Sequence, residues 1–309
     1  MSGPKVQDLP LKRVALIGLG LIGSSIARGA REAMPAVELR AFDSDPDVRR
    51  RAARLDLVDL IANDPAEALA GADLVIFCVP VGAMAEAARS AAPHLAKGAI
   101  VSDVGSCKGP VLSALKNALP DAVIIPAHPI AGTENSGPEA GFAGLFRNRW
   151  CILTPEPGTD ASAVDRLAAF WRMLGARVEV MDADRHDLVL AVTSHLPHLI
   201  AFTIVGTASH LEAVTEGEVI KYSAGGFRDF TRIAASDPTM WRDVFLSNRD
   251  AVLDVLGRFL GDLNVLEEAM RQSDGNALFE WFSRTRAIRR AIVYEGQDVA
   301  APDFGRTAG

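Results

Sequence analysis

Short apolar runs alternate with amphipathic stretches over the first 180 residues of the chain. The runs are rich in Val, Ile and Leu, and the stretches between them have the spacing of apolar positions that is typical of helices. The predicted strands lie at 14–17, 37–42, 74–79, 99–102, 123–125, 150–153 and 177–180. Near-continuous apolar strands separated by helices predict a parallel sheet that helices cover on both faces.

The pattern changes after Val180, where no further strand is predicted. The predicted helices lie at 182–208, 237–270 and 276–293. A glycine-containing segment, 222–230, interrupts them. Helix-rich sequence after a complete α/β unit is typical of a separate helical domain. We therefore predict an α/β domain of residues 1–180 and an all-helical domain of residues 181–309, with a loose polar tail from about residue 297.

One helical segment, 188–208, is apolar enough to raise the question of membrane insertion. Its His195, Pro197 and His198 are unusual in a membrane span, so we expect a buried helix of a helical domain instead. The first 13 residues contain no apolar run that is typical of a signal peptide. We therefore expect no membrane partner.

The overall charge and the cysteines narrow the classes of function. The chain has 309 residues, with 32 Lys and Arg against 39 Asp and Glu, a formal net charge of −7. An acidic chain with 6% aromatic residues lacks the basic face and the stacking surface that nucleic acids require, so we expect no nucleic-acid partner. Its three cysteines, at 78, 107 and 151, include no Cys-x-x-Cys pair and favour a reduced, cytoplasmic setting.

A glycine pattern follows the first predicted strand and opens a predicted helix. Its residues are Gly18, Leu19, Gly20, Leu21, Ile22 and Gly23. In this context, Gly18 permits a tight turn, Gly20 lets the backbone approach a pyrophosphate, and Gly23 lets the helix pack closely on the strand. The helix N-terminus offers N–H groups to the anion. The pattern therefore predicts a Rossmann-type dinucleotide-binding domain.

Asp43 ends the second predicted strand, twenty residues after Gly23. A carboxylate there accepts hydrogen bonds from ribose hydroxyls and repels a 2′-phosphate, so NAD is favoured over NADP. The arginines at 49–51 are in principle partners for such a phosphate, but a solvated helix face explains them better. Val79 and Pro80 end another strand at the carboxyl edge of the sheet, where we expect the cofactor to lie.

Four further segments concentrate polar residues where a core would exclude them. They are 103–109, 128–134, 194–198 and 225–232, with 237–241 close behind the last. Each has an ordinary structural explanation, such as a core histidine with satisfied hydrogen bonds, an arginine in a salt bridge or glycines that shape a turn. His195 and His198 share a helix face, as a metal-binding pair does, but no third ligand at a familiar spacing accompanies them. We therefore expect no metal.

Three of these segments together resemble the prephenate/arogenate dehydrogenase family of tyrosine biosynthesis. The similar motifs are His128-Pro-Ile-Ala-Gly-Thr-Glu134, Ser194-His-Leu-Pro-His198 and Gly225-Gly-Phe-Arg-Asp-Phe-Thr-Arg232. The resemblance implies NAD-dependent oxidative decarboxylation of prephenate, arogenate or both, giving 4-hydroxyphenylpyruvate or tyrosine. The apolar surface of the helical domain further suggests a homodimer, and the substrate is a small molecule.

The resemblance also implies roles for individual side chains. It makes His128 the base that deprotonates the ring hydroxyl, while Ser106 contacts that hydroxyl or the nicotinamide and orients His128. It makes Arg232 the partner of a substrate carboxylate and His198 a partner of the substrate side chain. Further substrate-binding candidates are Thr133, Glu134, Gly225, Ser194, His195 and Trp241. For Trp241, it suggests that a neighbouring subunit contributes the side chain.

Two other functions stay open from the sequence. A hydroxyacid or imine reductase of the same architecture relies on a catalytic lysine or aspartate in its helical domain, whereas the only lysine after Lys116 is Lys221. A non-catalytic NAD-sensing protein has no need of His128, Ser106 and Arg232. The choice between prephenate and arogenate depends on one keto or ammonium group, whose partner the sequence does not identify.

Overall fold

The computed structural model describes residues 11–133, 135–212 and 224–294. The chain divides into two compact units, Met1–Val252 and Leu253–Gly309. Both β-sheets lie in the first unit, and the described part of the second unit is helical. The domain boundary near Val180 stays a prediction, and the tail from residue 297 lies outside the described residues.

Six parallel strands form the main sheet. In chain order they are β1 (Arg13–Ile17), β2 (Glu38–Phe42), β3 (Leu60–Ile61), β4 (Leu74–Phe77), β5 (Ile100–Asp103) and β6 (Val123–Ile124). Their order across the sheet is β3-β2-β1-β4-β5-β6, so the direction of winding reverses between β1 and β4. Ligands of doubly wound sheets bind at the carboxyl ends of the strands at such a switch point. The predicted α/β class is confirmed, and the glycine turn after β1 lies at this point.

Five helices connect these strands. They are α1 (Leu21–Ala33), α2 (Pro46–Arg54), α3 (Pro65–Leu69), α4 (Met84–Ala91) and α5 (Gly109–Ala118). The predicted start of α2 is confirmed, because the side chain of Asp45 accepts a hydrogen bond from the N–H of Asp47 and Pro46 occupies the first helical position.

Alternate residues of β1 belong to two separate hydrophobic cores. Val14 and Leu16 lie in one core with Trp171, whereas Ala15 and Ile17 lie in the other. Successive side chains of a strand point to opposite faces, so apolar side chains cover both faces of the sheet, as predicted. Burial of each large apolar side chain contributes roughly 1.5–3 kcal/mol, which makes these cores the main source of stability.

The prediction of a single parallel sheet is wrong for the last two strands. A second sheet contains β7 (Ala127–Pro129), β8 (Trp150–Leu153) and β9 (Arg177–Val180), and α6 (Ala161–Met173) connects β8 to β9. β7 runs antiparallel to β8, and β8 runs parallel to β9. Length and composition do not identify the sheet to which a short strand belongs, because pairing is decided by distant segments.

Helices account for the described chain after Val180. They are α7 (Ala183–Leu190), a π-helical turn (Ala191–His195), α8 (Leu196–Glu212), α9 (Gly225–Thr231), α10 (Pro238–Ser247), α11 (Arg249–Arg271) and α12 (Gly275–Tyr294). The helical prediction is therefore confirmed, with two corrections. The predicted interruption at 222–230 is helical from Gly225 on. The predicted helix at 237–270 breaks at Asn248, whose buried side-chain amide bonds the backbone carbonyl of Asp187 and the ring of His195.

The helical stretch 183–211 is long and apolar enough to cross a membrane by length and composition alone. It is also less buried than expected, since 28% of its most apolar window is covered within the described chain. The exposed apolar side chains of this stretch include Leu188, Val189, Val192, Ile204 and Val205. An apolar face of this size is typical of a surface that another molecule covers.

A substitution in the glycine turn tests how closely α1 must pack on β1. A Cβ on Gly23 would lie 2.2 Å from the carbonyl oxygen of Gly18, so Gly23→Ala forces the backbone apart. We expect it to lower the free energy of unfolding by about 1–3 kcal/mol, measured by urea denaturation. The control is Gly20→Ala, whose Cβ meets no atom within 4 Å. Equal unfolding free energies for the two variants would contradict the close packing.

Candidate active site

The turn after β1 has the geometry of a dinucleotide-binding loop. Gly18 has a φ angle of +103°, and a Cβ there would lie 2.6 Å from the carbonyl oxygen of Cys78. The backbone at Gly20 borders open space, because a Cβ there meets nothing within 4 Å. No side chain caps the first turn of α1. The turn therefore offers room and N–H donors to an anionic group.

Asp43 faces this turn from the end of β2. Its Oδ2 accepts a hydrogen bond from the N–H of Leu19 at 2.8 Å, and its Oδ1 accepts one from the N–H of Asp45 at 2.9 Å. A carboxylate has about four acceptor positions, so Asp43 keeps capacity for the hydroxyls of a ribose.

The arginines of α2 nearest to this carboxylate already have partners. Arg49 donates to the carbonyl oxygen of Asp43 at 2.6 Å, Arg50 pairs with a carboxylate of its own helix, and Arg51 pairs with Glu139. They are therefore engaged in structural contacts, which agrees with the preference for NAD over NADP expected from Asp43.

The loop after β5 carries Ser106 and leads into α5. β4 and β5 are neighbours in the sheet, so Val79 and Pro80, just after β4, emerge at the same edge as this loop. The N–H of Gly105 donates to Oδ2 of Asp103 at 2.7 Å and tightens the loop. Ser106 is partly exposed beside the predicted path of the cofactor.

A buried ion pair lies beneath this loop. Nζ of Lys108 donates to Oδ2 of Asp103 at 2.5 Å and to the carbonyl oxygen of Ala127 at 2.7 Å. Both charged side chains are 0% exposed. Burial raises the pKa of Asp103, although the charge and hydrogen bond of Lys108 oppose the shift. The pair joins the end of β5 to β7, the strand that contains His128.

His128 is the first of three side chains in a hydrogen-bonded row. Its Nδ1 lies 2.9 Å from Nε2 of His186, and Nδ1 of His186 lies 2.8 Å from Oδ1 of Asp187. The backbone of His128 is fixed by pairing of β7 with β8, while His186 and Asp187 lie on the buried side of α7. The row therefore connects the second sheet to the first helix after it.

The histidines of this row are neutral near pH 7. Burial lowers the pKa of His128 well below its usual value, and the neighbouring His186, Lys108 and His195 lower it further. Burial also lowers the pKa of His186, although the hydrogen bond to Asp187 opposes the shift. A neutral imidazole is the form that accepts a proton, so His128 is suited to general-base chemistry.

A second group of rings contains His195, His198 and Trp241. His198 stacks on Trp241, with ring centroids 3.6 Å apart. Nδ1 of His195 lies 3.0 Å from the side-chain amide of Asn248. Among the described residues, the buried Nε2 of His195 and Nε1 of Trp241 have no hydrogen-bond partner. A buried polar atom without a partner is costly, so these two nitrogens mark this group of rings as a candidate functional site.

The π-helical turn positions two of these histidines. Ser194, in the turn, is partly exposed, and its carbonyl oxygen accepts a hydrogen bond from Nδ1 of His198 at 3.0 Å. Burial lowers the pKa of His195 to about 4. Burial lowers the pKa of His198 as well, and the charge of Arg232 adds to this shift. Arg232 therefore lies close enough to His198 for its charge to act on the imidazole.

The remaining candidate substrate-binding residues are Gly225, Arg232, Thr133 and Glu134. Gly225 begins α9, and Arg232 begins the short turn after it, which packs against α8. Thr133 is exposed, and its hydroxyl accepts a hydrogen bond from Asn135. Glu134 lies outside the described residues. Of these, Arg232 is the one that the described contacts bring to the second group of rings.

Trp241 stacks on His198 within one chain, and the suggestion that a neighbouring subunit contributes this side chain stays a prediction. Trp241 of the same chain is 6% exposed and packs in a cluster with Cys107 and Val244. Asp237 caps α10 by accepting a hydrogen bond from the N–H of Met240, so this helix starts where Trp241 falls on its buried side.

Sequence reasoning missed four polar side chains of the site. They are Lys108, His186, Asp187 and Asn248. The signal that points to two of them is the adjacent His186 and Asp187 at the start of an apolar helix, a position where buried polar groups need partners. Within the described ranges, no three His, Cys, Asp or Glu side chains form a group that could hold a metal ion.

Models of two protein domains match most of the chain. Residues 26–180 match the nucleotide-binding domain of prephenate dehydrogenase, and residues 182–284 match its dimerization domain. A cyclohexadienyl dehydrogenase of Zymomonas mobilis is 46% identical over 91% of this chain and 96% of its own length. A prephenate dehydrogenase of Bacillus subtilis is 34% identical over 94% of this chain and 78% of its own length.

Solved structures agree with these matches. A prephenate dehydrogenase of Aquifex aeolicus, in complex with hydroxyphenyl propionate and NAD+, has a TM-score of 0.86 and 34% identity over 92% of this chain and 99% of that one. An arogenate dehydrogenase of Synechocystis has a TM-score of 0.78 and 25% identity over 90% of this chain and 99% of that one.

The buried ion pair gives a test of how the site is supported. Lys108→Met leaves the carboxylate of Asp103 buried without its cation, so we expect the free energy of unfolding to fall by about 3–5 kcal/mol. The matched control is Lys116→Met, which removes an exposed pair with Glu156 and should cost less than about 1 kcal/mol. Urea denaturation measures both, and a similar loss for the two variants would contradict the role of the buried pair.

Proposed function

The chain belongs to the prephenate dehydrogenase family, and we propose that it catalyses the oxidative decarboxylation of prephenate, arogenate or both in tyrosine biosynthesis. It is an NAD-dependent oxidoreductase. The observation that carries the proposal for this site is the neutral His128, held by a hydrogen-bonded row at the sheet edge where the cofactor turn lies. The products are 4-hydroxyphenylpyruvate from prephenate and tyrosine from arogenate, each with carbon dioxide.

The residues of the glycine turn fit NAD. The open space at Gly20 and the uncapped first turn of α1 suit its pyrophosphate, and the spare acceptor positions of Asp43 suit its adenosine ribose. Val79, Pro80 and Ser106 follow β4 and β5 at the same edge and suit the nicotinamide end. When bound, NAD accepts the hydride that leaves the substrate ring.

His128 acts as the general base in this proposal. Its Nδ1 is occupied by His186, so Nε2 is the nitrogen that takes the proton of the ring hydroxyl. Ser106 donates to or accepts from the same hydroxyl and holds the substrate against His128. Because loss of carbon dioxide makes the ring aromatic, the reaction supplies much of its own driving force. The enzyme mainly needs orientation and a place for one proton.

A cationic group recognises the anionic substrate. Arg232 binds a substrate carboxylate, since a guanidinium keeps its charge and offers two parallel N–H donors. His198, stacked on Trp241, lies close enough to Arg232 for its charge to act, and His195 contacts the same tryptophan. Both histidines offer polar contacts to the substrate side chain. The same group of rings supports binding of a ring-shaped substrate. Thr133, Glu134, Gly225 and Ser194 complete the proposed substrate-binding set.

We further infer that the protein is a homodimer of the cytoplasm. The model that matches residues 182–284 describes a dimerization domain, and the exposed apolar face of α7 and α8 supplies a surface for a second copy. Cys78, Cys107 and Cys151 are all free, which suits a reducing compartment.

Turnover measurements test the proposed function. The purified protein with NAD and prephenate should produce NADH, followed by its absorbance, and the same assay with arogenate determines the substrate preference. The similarity to a cyclohexadienyl dehydrogenase favours activity on both substrates. NAD binding without turnover of either substrate would favour the non-catalytic sensor instead.

Replacement of the base is the sharpest test of the proposed chemistry. His128→Asn removes the proton acceptor, so we expect kcat to fall by about 100- to 10,000-fold while NAD binding, measured by fluorescence titration, stays unchanged. His94→Asn makes the same change at an exposed histidine and should leave kcat unchanged. Near wild-type turnover of the His128 variant would end the general-base proposal.

Replacement of the arginine tests substrate recognition. Arg232→Ala removes a charge-assisted contact to a carboxylate, so we expect KM for the substrate to rise by roughly 10- to 100-fold, with a smaller change in kcat. Arg228→Ala, on the exposed side of α9, is the control and should keep the wild-type KM. If KM of the Arg232 variant is unchanged in steady-state kinetics, carboxylate recognition belongs to another group.

A further inference from the structure

Two side chains that the proposed mechanism does not use, His186 and Asp187, lie directly behind His128. His186 is fully buried, and Asp187 is 7% exposed. Their contacts with His128 form a row in which each step is short, 2.9 Å and then 2.8 Å. Buried polar side chains in such a row determine each other's protonation, because each nitrogen has a single partner.

The carboxylate of Asp187 is anchored in its ionised form. Its Oδ1 accepts a hydrogen bond from the N–H of Lys108 at 2.7 Å, and its Oδ2 accepts one from the N–H of Gly109 at 2.9 Å. These N–H groups belong to the start of α5, where a negative charge is stabilised. Burial opposes ionisation, but hydrogen bonds from His186 and these two N–H groups keep the pKa of Asp187 below its usual value.

An ionised Asp187 fixes the hydrogens of both imidazoles. A carboxylate only accepts, so Nδ1 of His186 carries a hydrogen. In neutral His186, Nε2 then has a lone pair and accepts a hydrogen bond from Nδ1 of His128. Neutral His128 therefore carries its hydrogen on Nδ1 and presents the lone pair of Nε2. This tautomer is the one that a base acting through Nε2 requires.

We propose that His186 and Asp187 are positioning residues that fix the tautomer of His128 and stabilise the proton that it takes from the substrate. In this step, the O–H bond of the substrate hydroxyl breaks and an N–H bond forms at Nε2 of His128. The Nδ1 proton of His128 then shifts along the hydrogen bond toward Nε2 of His186, and the charge of Asp187 stabilises the resulting imidazolium. The inference rests on the proposed function, since it assigns the partners of its base.

Other charged and titratable groups around His128 do not replace this pair. Lys108 lies beneath β7, and its cation opposes protonation of His128, as does His195 from the π-helical turn. Asp103 is paired with Lys108, and burial raises the pKa of Cys151 on the neighbouring strand well above its usual value, so the thiol stays neutral. Among the described residues, Asp187 is the anion that reaches His128 through an intervening hydrogen-bonded ring.

Nuclear magnetic resonance of the wild-type protein tests the tautomers without any turnover. Long-range 1H–15N spectra at pH 7 should show hydrogen on Nδ1 and none on Nε2 for both His128 and His186, with His128→Asn and His186→Gln assigning the signals. Hydrogen on Nε2 of His128 would overturn the proposal. Because this readout needs no substrate, it separates failure of the proposal from failure of the proposed function, which the wild-type turnover assay decides.

Substitution of the carboxylate tests its influence on the base. Asp187→Asn replaces the anion with an uncharged amide, whose NH2 must occupy the place of an oxygen that accepts from Gly109 or from Lys108 and His186. The row therefore loses the charge that stabilises its imidazolium, and we expect kcat to fall by about 100-fold or more while KM stays within roughly 3-fold. Loss of the anion also destabilises protonated His128, so its pKa falls. The acid limb of the kcat/KM profile should therefore move to lower pH by roughly 1 unit. A purely structural role would lower the plateau and leave the limb in place.

Two further variants keep the test decisive if Asp187→Asn does not fold. His186→Gln retains an acceptor near the position of Nε2 but cannot be protonated, so kcat should fall about 10-fold or more and the acid limb should move in the same direction. Asp184→Asn makes the matched carboxylate-to-amide change on the exposed side of α7 and should behave as wild type. A folded His186→Gln protein with wild-type kcat and pH profile would overturn the proposal.

Discussion

The hydrogen bonds between Asp187 and the start of α5 are the contact on which the site depends. Through them, the first helix after the second sheet is joined to the loop that leaves β5, at the same edge as the glycine turn. The N–H groups of a helix start offset part of the cost of burying this charge. The carboxylate of Asp187 in turn orients the ring of His186 by a hydrogen bond, and His186 orients the ring of His128 in the same way.

Burial stabilises the fold and also sets the proton chemistry. The same lack of water that favours packing of apolar side chains lowers the pKa of His128 and His195, so the site holds neutral imidazoles in a chain of net charge −7. The overall charge of the protein therefore says little about the site. The nearby cations set the electrostatics of the site instead. Lys108 forms a buried ion pair with Asp103, and the charge of Arg232 lowers the pKa of His198.

The fold was predictable wherever local sequence carries a physical requirement. The glycine turn needs a positive φ at Gly18 and close packing at Gly23. Asp45 caps α2 by accepting a hydrogen bond from the N–H of Asp47, two residues further along the chain. Strand pairing is different, because β7 and β8 are chosen by contacts between residues far apart in sequence. The second sheet was missed for that reason, as was the break at Asn248, whose side chain bonds the backbone of Asp187.

The sequence by itself determined the α/β class, the dinucleotide-binding turn and the family, and it pointed to His128 as the proposed base. It did so because motifs hold their residues at fixed short spacings. Only the tertiary structure decided what stands behind His128, since His186 follows 58 residues later and is selected by a distance of 2.9 Å. It also decided that Trp241 stacks on His198 of its own chain. Hydrogen-bond partners in a buried site are set by packing, which no local pattern encodes.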